Sequence, residues 1–522
     1  MADNGAVAVF LAAVTGLMLA SGIEGLMQPR PDPWSKRPWG CFFLHTGLWL
    51  AIYGVLLFLL GRPWFAMAAV SAFLLMLVLV NNAKMKALRE PFVFQDFEYF
   101  TDTIRHPRLY IPFLGWGKLL LAVIGFVVAV LVGWLLEDVP FDRLLWVGQL
   151  GGLAVVMLLA IALLAVGSRA HLQVTFVALQ DVPGLGLLAS LWCYGRAERA
   201  TPSLPSPFEF LPVAEGSPTR PHLIAVQSES FFDPRPLFTG IRQDVLAEFD
   251  LFKTSAIGHG RLDVPAWGAN TVRTEFAFLS GIAETALGVH RFNPYRKAAR
   301  SGVATLATFL KGLGYRTICI HPYPASFYAR DRVFPLMGFD EFIDIDEFAD
   351  AQRSGSYIGD LAVADKIAQV LETSSGPVFV FAITMENHGP LHLEKATDKD
   401  VADLYDQPPP AGCEDLTIYL RHLRNADRML AKLKTMLIAC TQPAGLCWFG
   451  DHVPIMFSVY DTLGTPESST EFLLWRNDAT GCCMKRRHLA ADQLAVVWMN
   501  AMGMCDGREF SDNRISQGGA GC

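Results

Sequence analysis

Charge is scarce in this chain. Asp, Glu, Lys and Arg make up 18% of its 522 residues against 52% for hydrophobic ones, too apolar for an ordinary soluble protein of this length. No basic excess exists either: the net charge is −7 and the basic residues are scattered rather than striped, which argues against a nucleic-acid surface. Internal repeats and low-complexity tracts are absent, so a solenoid is not expected. None of the ten cysteines stands in a C-x-x-C spacing, and a structural zinc site is not indicated. Seven of the ten (Cys413, Cys440, Cys447, Cys482, Cys483, Cys505 and Cys522) fall late in the chain. In an oxidising compartment Cys440 and Cys447 make a conceivable pair; free thiols fit equally well.

What is present explains the apolar excess. Stretches of roughly 19 apolar residues, enough to cross a bilayer as helix, occur at 6–26, 41–60, 64–80, 119–136 and 144–166, the third being the shortest. No basic segment precedes the first, so it reads as a permanent anchor rather than a cleaved signal. Glu24, near its end, either reaches the headgroups or pairs, the former being the expectation. The segment 175–194, with Asp181 and Pro183 inside it, suits the membrane surface better than a crossing. Arg30, Lys36 and Arg37 after the first span, and Lys84, Lys86 and Arg89 after the third, place the C-terminal half in the cytoplasm by the positive-inside rule.

Residues 201–221 carry Pro202, Pro205, Pro207, Pro212, Pro218 and Pro221, a density that blocks helix and sheet and reads as a semi-rigid linker. The expected division is a transmembrane domain at 1–170, an interfacial segment and linker at 171–221, and a further domain at 222–522. In the last, buried strand-like runs alternate with amphipathic helical stretches such as 302–313 and 416–436, the pattern of an α/β domain.

Four of those runs end in groups suited to a divalent cation or a phosphate. Residues 223–227 lead into Ser228-Glu229-Ser230, 317–320 into His321, 378–383 into Glu386-Asn387-His388, and 446–449 into Gly450-Asp451-His452. The carboxyl ends of parallel strands share one rim, so these groups are expected to converge. Asp451, His452 and Glu229 are a hard-to-borderline donor set for Mn²⁺, Mg²⁺ or Zn²⁺, although an Asp-His pair alone at a strand end is more often a turn hydrogen bond than a ligand set. Thr271, in Asn270-Thr271-Val272-Arg273-Thr274-Glu275-Phe276, opens a predicted helix. It is either an N-cap or a nucleophile at the positive end of the helix dipole. Arg330 has the alternative of a surface ion pair with Asp331, and His321 that of capping a turn.

In combination these segments resemble the lipoteichoic acid synthase and phosphoglycerol transferase family, membrane members of the alkaline phosphatase and sulfatase superfamily. The segment from Arg89 to Phe97 is similar to the loop after that family's third span. The resemblance implies about five N-terminal spans and a C-terminal α/β sulfatase-like domain with a central, mostly parallel sheet. It makes Thr271 the nucleophile, with Glu229, Thr271, Asp451 and His452 holding one divalent cation, Mn²⁺ or Mg²⁺ rather than Zn²⁺. It makes His321, Tyr328, Arg330 and His388 the grip on a glycerophosphate headgroup, with Tyr328 where Trp is commoner and Arg330 forking onto phosphate oxygens. The implied reaction moves glycerophosphate from a phosphatidylglycerol-like lipid, through a phospho-threonine, to an extracytoplasmic glycan or polymer acceptor. That puts the domain outside a plasma (inner) membrane, against the count of basic loops. A phosphoethanolamine transferase and a non-catalytic envelope scaffold are the alternatives.

Overall fold

The computed structural model describes residues 3–100, 143–202, 204–214, 220–349, 351–478 and 486–505, with scattered positions from 117 to 135. The expected span at 119–136 lies outside the continuously described residues. Two compact units emerge, Met1–Ala200 and Thr201–Cys522.

Among the described residues of the first unit four helices are long and apolar enough to cross a membrane: Asp3–Glu24, Trp39–Leu60, Pro63–Leu88 and Arg143–Arg169. The second and fourth pack closely because Gly47 is small; a Cβ there would come within 2.9 Å of the Leu164 side chain. Glu24 does not reach toward solvent. It is buried, 2.7 Å from Arg37 Nη1, and accepts the backbone N–H of Leu187 at 2.7 Å. Burial of a carboxylate among helices demands such partners, and the headgroup reading is corrected accordingly.

The segment 175–194 folds as two short helices, Ala178–Leu185 and Leu187–Ala197. Asp181, its one charge, is consumed locally by the N–H groups of Thr175 and Phe176 and by the Tyr194 hydroxyl. That leaves Val182, Leu187, Leu188 and Leu191 free to bury in the same cluster as Trp49, Tyr53 and Leu77. The segment is thus packed into the helical unit.

The second unit is built on an eight-stranded sheet of order β10-β2-β9-β8-β1-β7-β3-β4. The strands are β1 (His222–Ser228), β2 (Gly258–Asp263), β3 (Arg316–Ile320), β4 (Glu341–Ile343), β7 (Val378–Ile383), β8 (Ala444–Gly450), β9 (Ser469–Arg476) and β10 (Arg487–Ala490). The run β8-β1-β7-β3-β4 is parallel throughout, and only β9 is antiparallel to its neighbours. A separate hairpin pairs β5 (Arg353–Ser354) with β6 (Tyr357–Ile358).

β1, β7 and β8 are buried at every position, as a parallel sheet covered on both faces requires. Alternate residues feed two cores: Ile224, Val226, Val380 and Trp448 on one face, Leu223, Ala225, Phe379 and Phe449 on the other. The helix Glu414–Ala439 covers the first with Tyr419, Leu423, Leu430 and Leu437. Thr271–Ser280 and Ala491–Ala501 cover the second with Phe276, Leu279, Leu494 and Trp498. Cys440 and Cys447 are both free thiols. Cys447 lies buried in the middle of β8 while Cys440 ends the long helix, so the conceivable disulfide is absent.

Candidate active site

β1 and β8 run parallel with Ser228 opposite Gly450, so the next residues, Glu229 and Asp451, leave the sheet side by side. Gly450 is required there: a Cβ would stand 1.9 Å from the Phe231 carbonyl oxygen. Glu229, Asp451 and His452 are all buried, and one ligand atom from each lies within 4.8 Å of the others.

The hydrogen bonds decide which atoms face inward. Asp451 Oδ1 accepts the backbone N–H groups of Ser230 at 2.8 Å and His452 at 2.9 Å. Ser230 Oγ donates to Glu229 Oε1 at 2.8 Å and lies 3.3 Å from His452 Nδ1. Asp451 Oδ2 and His452 Nε2 are left buried with no hydrogen-bond partner among the described residues. His452 Nε2 is 3.4 Å from that oxygen and 3.6 Å from Glu229 Oε1. Burial, reinforced by the charge of Asp451, pushes the Glu229 carboxyl up to about 8. Two crowded carboxylates and an imidazole, two of their atoms without a hydrogen bond, fit a divalent cation, which would satisfy the unpaired atoms and remove the repulsion.

Thr271 is the first residue of the helix Thr271–Ser280. It is not the N-cap: that position belongs to Asn270, at φ 66°, whose side chain makes no cap bond. The helix start is tied to the acid cluster by Thr274 Oγ1, which donates to the Asp451 carbonyl at 2.8 Å, and by the Gly268 N–H, which donates to the Val453 carbonyl at 3.0 Å.

His321 and Arg330 meet. Arg330 is not an ion pair with Asp331 at the surface; its guanidinium is buried against Glu275, with Nη2 2.9 Å from both carboxylate oxygens. Its Nη1 donates to His321 Nε2 at 3.2 Å. His321 does not cap a turn through its ring either: Nδ1 donates to the Ile383 carbonyl at 3.1 Å. Since that carbonyl only accepts, Nδ1 carries the proton and Nε2 is the acceptor. Burial and the Arg330 charge hold His321 well below the usual imidazole range, hence neutral.

Tyr328 places its ring 5.2 Å from the Arg330 guanidinium carbon. His388 Nδ1 donates to the Gly389 carbonyl at 2.6 Å, and burial lowers its pKa. The charges of Asp451 and Arg330 act on His388, and that of Arg330 acts on Glu229, so these groups share one neighbourhood. Glu386 does not join them. It turns toward His422 Nδ1 at 3.0 Å and Asn425, at the edge of a separate cavity of about 890 Å³.

Four residues to which the sequence assigned no role line the site: Ser230, Thr384, Tyr295 and Glu275. Thr384 Oγ1 accepts the Glu229 N–H at 3.0 Å, and the Tyr295 hydroxyl donates to Glu275 at 3.1 Å. Of these, Ser230 stands beside Glu229 in the sequence, and Glu275 shows there as an acid between Val272, Phe276 and Leu279. Backbone strain marks the same places. Among the described residues of the second unit, the non-glycine residues with positive φ are Ser230, Asn270, Tyr328 and Ala329, each at or beside Glu229, Thr271, Tyr328 or Arg330. Each costs on the order of 1–3 kcal/mol, and such strain gathers at functional sites.

The sequence profile of the sulfatase family matches residues 221–504, more than half of the chain. The chain is 28% identical over 440 residues to the capsular polysaccharide biosynthesis protein RkpI of Rhizobium meliloti, covering 79% of this chain and 77% of that one. It is 27% identical over 297 residues to a Rhizobium meliloti protein named for cyclic beta-1,2-glucan modification, covering 57% of this chain and 44% of the other. Among solved structures, the integral membrane lipooligosaccharide phosphoethanolamine transferase A of Neisseria meningitidis aligns over 96% of this chain and 95% of its own, with a TM-score of 0.57 at 12% identity. At that identity the likeness is one of fold, and it spans both the helical unit and the α/β unit.

Proposed function

The chain belongs to the sulfatase family, and from that premise we propose a metal-dependent transferase. It moves glycerophosphate from a phosphatidylglycerol-type lipid to an extracytoplasmic glycan or polymer. One observation carries the reading: the helix that begins with Thr271 is bonded through Thr274 to the backbone of Asp451, within a cluster of orphaned ligand atoms. Sulfate-ester hydrolysis fits poorly, because Thr271-Val272-Arg273-Thr274 has neither the Cys or Ser that becomes formylglycine nor the proline that follows it.

Glu229, Asp451 and His452, with Thr271, would hold the cation; bound there, it supplies positive charge that lowers the pKa of the Thr271 hydroxyl. Thr271 Oγ attacks the lipid phosphorus, the bond from phosphorus to the diacylglycerol oxygen breaks, and the threonine proton ends on that oxygen. An acceptor hydroxyl then attacks the phospho-threonine, restoring Thr271. Arg330 contributes positive charge to the phosphoryl oxygens and His388 lines the same neighbourhood. The helical unit keeps the enzyme beside a donor that never leaves the bilayer. The names of the two Rhizobium relatives support a glycan as acceptor. The resemblance to a family whose acceptors are extracytoplasmic supports an outward-facing domain, against the basic-loop count; a periplasm-only reporter fused to the C-terminus decides between them.

The full-length fold likeness to a phosphoethanolamine transferase favours a second headgroup reading. Mass spectrometry of the full chain in detergent, incubated with Mn²⁺ and either phosphatidylglycerol or phosphatidylethanolamine, separates the two. A glycerophosphate adduct on Thr271 is expected; a phosphoethanolamine adduct alone, or none, overturns the proposal.

A further inference from the structure

Arg330 spends one edge of its guanidinium on the protein itself. Nε lies 3.2 and 3.3 Å, and Nη2 2.9 Å, from the two oxygens of Glu275. The side chains are 1% and 0% exposed, so no water competes for either. The Tyr295 hydroxyl donates to Glu275 Oε1 and fixes that carboxylate from a third direction. On the remaining edge, Nη1 is steered by the neutral His321 ring, itself pinned to the Ile383 carbonyl.

Glu275 follows Thr271 by four residues on one helix, so the two side chains share a face one turn apart. We infer that Glu275 is a positioning residue: it clamps the Nε–Nη2 edge of Arg330, and the helix Thr271–Ser280 thereby sets Thr271 and Arg330 at one rigid spacing. The inference rests on the transferase reading. A plain stabilising role explains the pair less well, because a buried ion pair returns little net stability over apolar packing, and this one is reached only through two consecutive strained residues, Tyr328 and Ala329. It follows that Glu275 takes two of the five guanidinium N–H groups and His321 a third, which leaves one on Nη1 and one on Nη2 for phosphoryl oxygens. Correct placement of that charge then depends on a residue that touches no substrate.

The test uses the full chain in detergent, loaded with Mn²⁺, measuring diacylglycerol release from phosphatidylglycerol. Glu275→Gln is expected to lower kcat by about 10- to 100-fold, with KM and Mn²⁺ affinity within about threefold of wild type. Arg330→Gln should lose a similar factor. The double variant Glu275→Gln/Arg330→Gln should lose no more than Arg330→Gln alone, since a residue acting through another adds nothing once that one is gone. Wild-type kcat in Glu275→Gln, or losses that multiply in the double variant, overturns the inference.

If Glu275→Gln does not fold, Tyr295→Phe removes only the third bond to the carboxylate and should show a smaller fall in kcat alone; unchanged kcat, or a change confined to KM, counts against the inference. If the wild-type protein releases no diacylglycerol, the lipid reading falls separately. Inorganic phosphate binding to the Mn²⁺-loaded protein then decides: tenfold or greater weakening in Glu275→Gln upholds the clamp, and unchanged binding overturns it.

Discussion

Asp451 Oδ2 lies 3.4 Å from His452 Nε2, and neither atom has a hydrogen-bond partner among the described residues. Nearby, Ser230 ties the loops after β1 and β8 together by donating its N–H to Asp451 Oδ1 and its hydroxyl to Glu229 Oε1. The cluster is therefore rigid before any ligand arrives, which is what selective cation binding needs.

Cation binding should depend on pH with a defined sign. Without a cation, Glu229 is protonated below about 8, and that proton must leave when the ion binds. Apparent Mn²⁺ affinity is expected to rise with pH by up to about one decade per unit and to level off above about 8. Calorimetric titration between pH 6 and about 9 measures it. A pH-independent affinity, or no loss in Asp451→Asn, contradicts the assignment.

Removing the ion should destabilise the α/β unit more at high pH than at low. The metal-free folded protein holds a proton on Glu229 that the unfolded chain releases near the ordinary carboxyl value of 4.5. Its stability therefore falls as pH rises between that value and about 8. Thermal unfolding with and without EDTA should show a gap that widens across this window; a constant gap argues against the cluster as the binding site.

Thr271→Ala should abolish transfer and the covalent adduct while changing stability by less than about 1 kcal/mol, because Thr271 caps nothing. Thr271→Ser should retain part of the activity. Full activity in the alanine variant eliminates Thr271 as nucleophile, and an adduct on no residue returns the scaffold alternative.

His422 offers a stability switch away from the cation cluster. Burial pushes its pKa down, but the bonds and charges of Glu386 and Glu394 outweigh this and carry it up to about 9. Both ring nitrogens donate, at 3.0 Å to Glu386 and 3.2 Å to Glu394, as an imidazolium does. The stabilisation, on the order of 3 kcal/mol, is complete below the ordinary value of 6.5 and is lost as pH rises through about 9. Thermal melts of wild type and His422→Gln should converge toward pH 9, and parallel curves would refute this.

In the helical unit, Arg37→Met should destabilise by about 3–5 kcal/mol, since it strands the buried Glu24 carboxylate. Adding Glu24→Gln should restore most of the loss. Unfolding in detergent monitored by circular dichroism measures both, and a single variant as stable as wild type would show that Glu24 has other means of support.

Much of this architecture was legible in the residues. Apolar runs announce membrane-length helices whatever surrounds them, because a bilayer selects on length and composition alone. Apolar strand cores at β1, β7 and β8, with Glu229, Glu386 to His388, and Asp451 and His452 close after their ends, announce a parallel sheet with a polar rim, and the family match to the second unit agrees. The approach of Glu229, Asp451 and His452 follows from that topology.

Other features depended on contacts distant in sequence. Whether Glu24 reached solvent or Arg37 turned on how residues 175–194 packed. Glu386 and His388 stand two residues apart, yet one faces His422 and the other the neighbourhood of Asp451 and Arg330. Local composition determined which segments would be helix, strand or linker, because those choices rest on periodicity, propensity and length. Only the tertiary structure decided that Arg330 faces Glu275 rather than Asp331, because a charge inside a protein goes to whichever partner the packing leaves within reach.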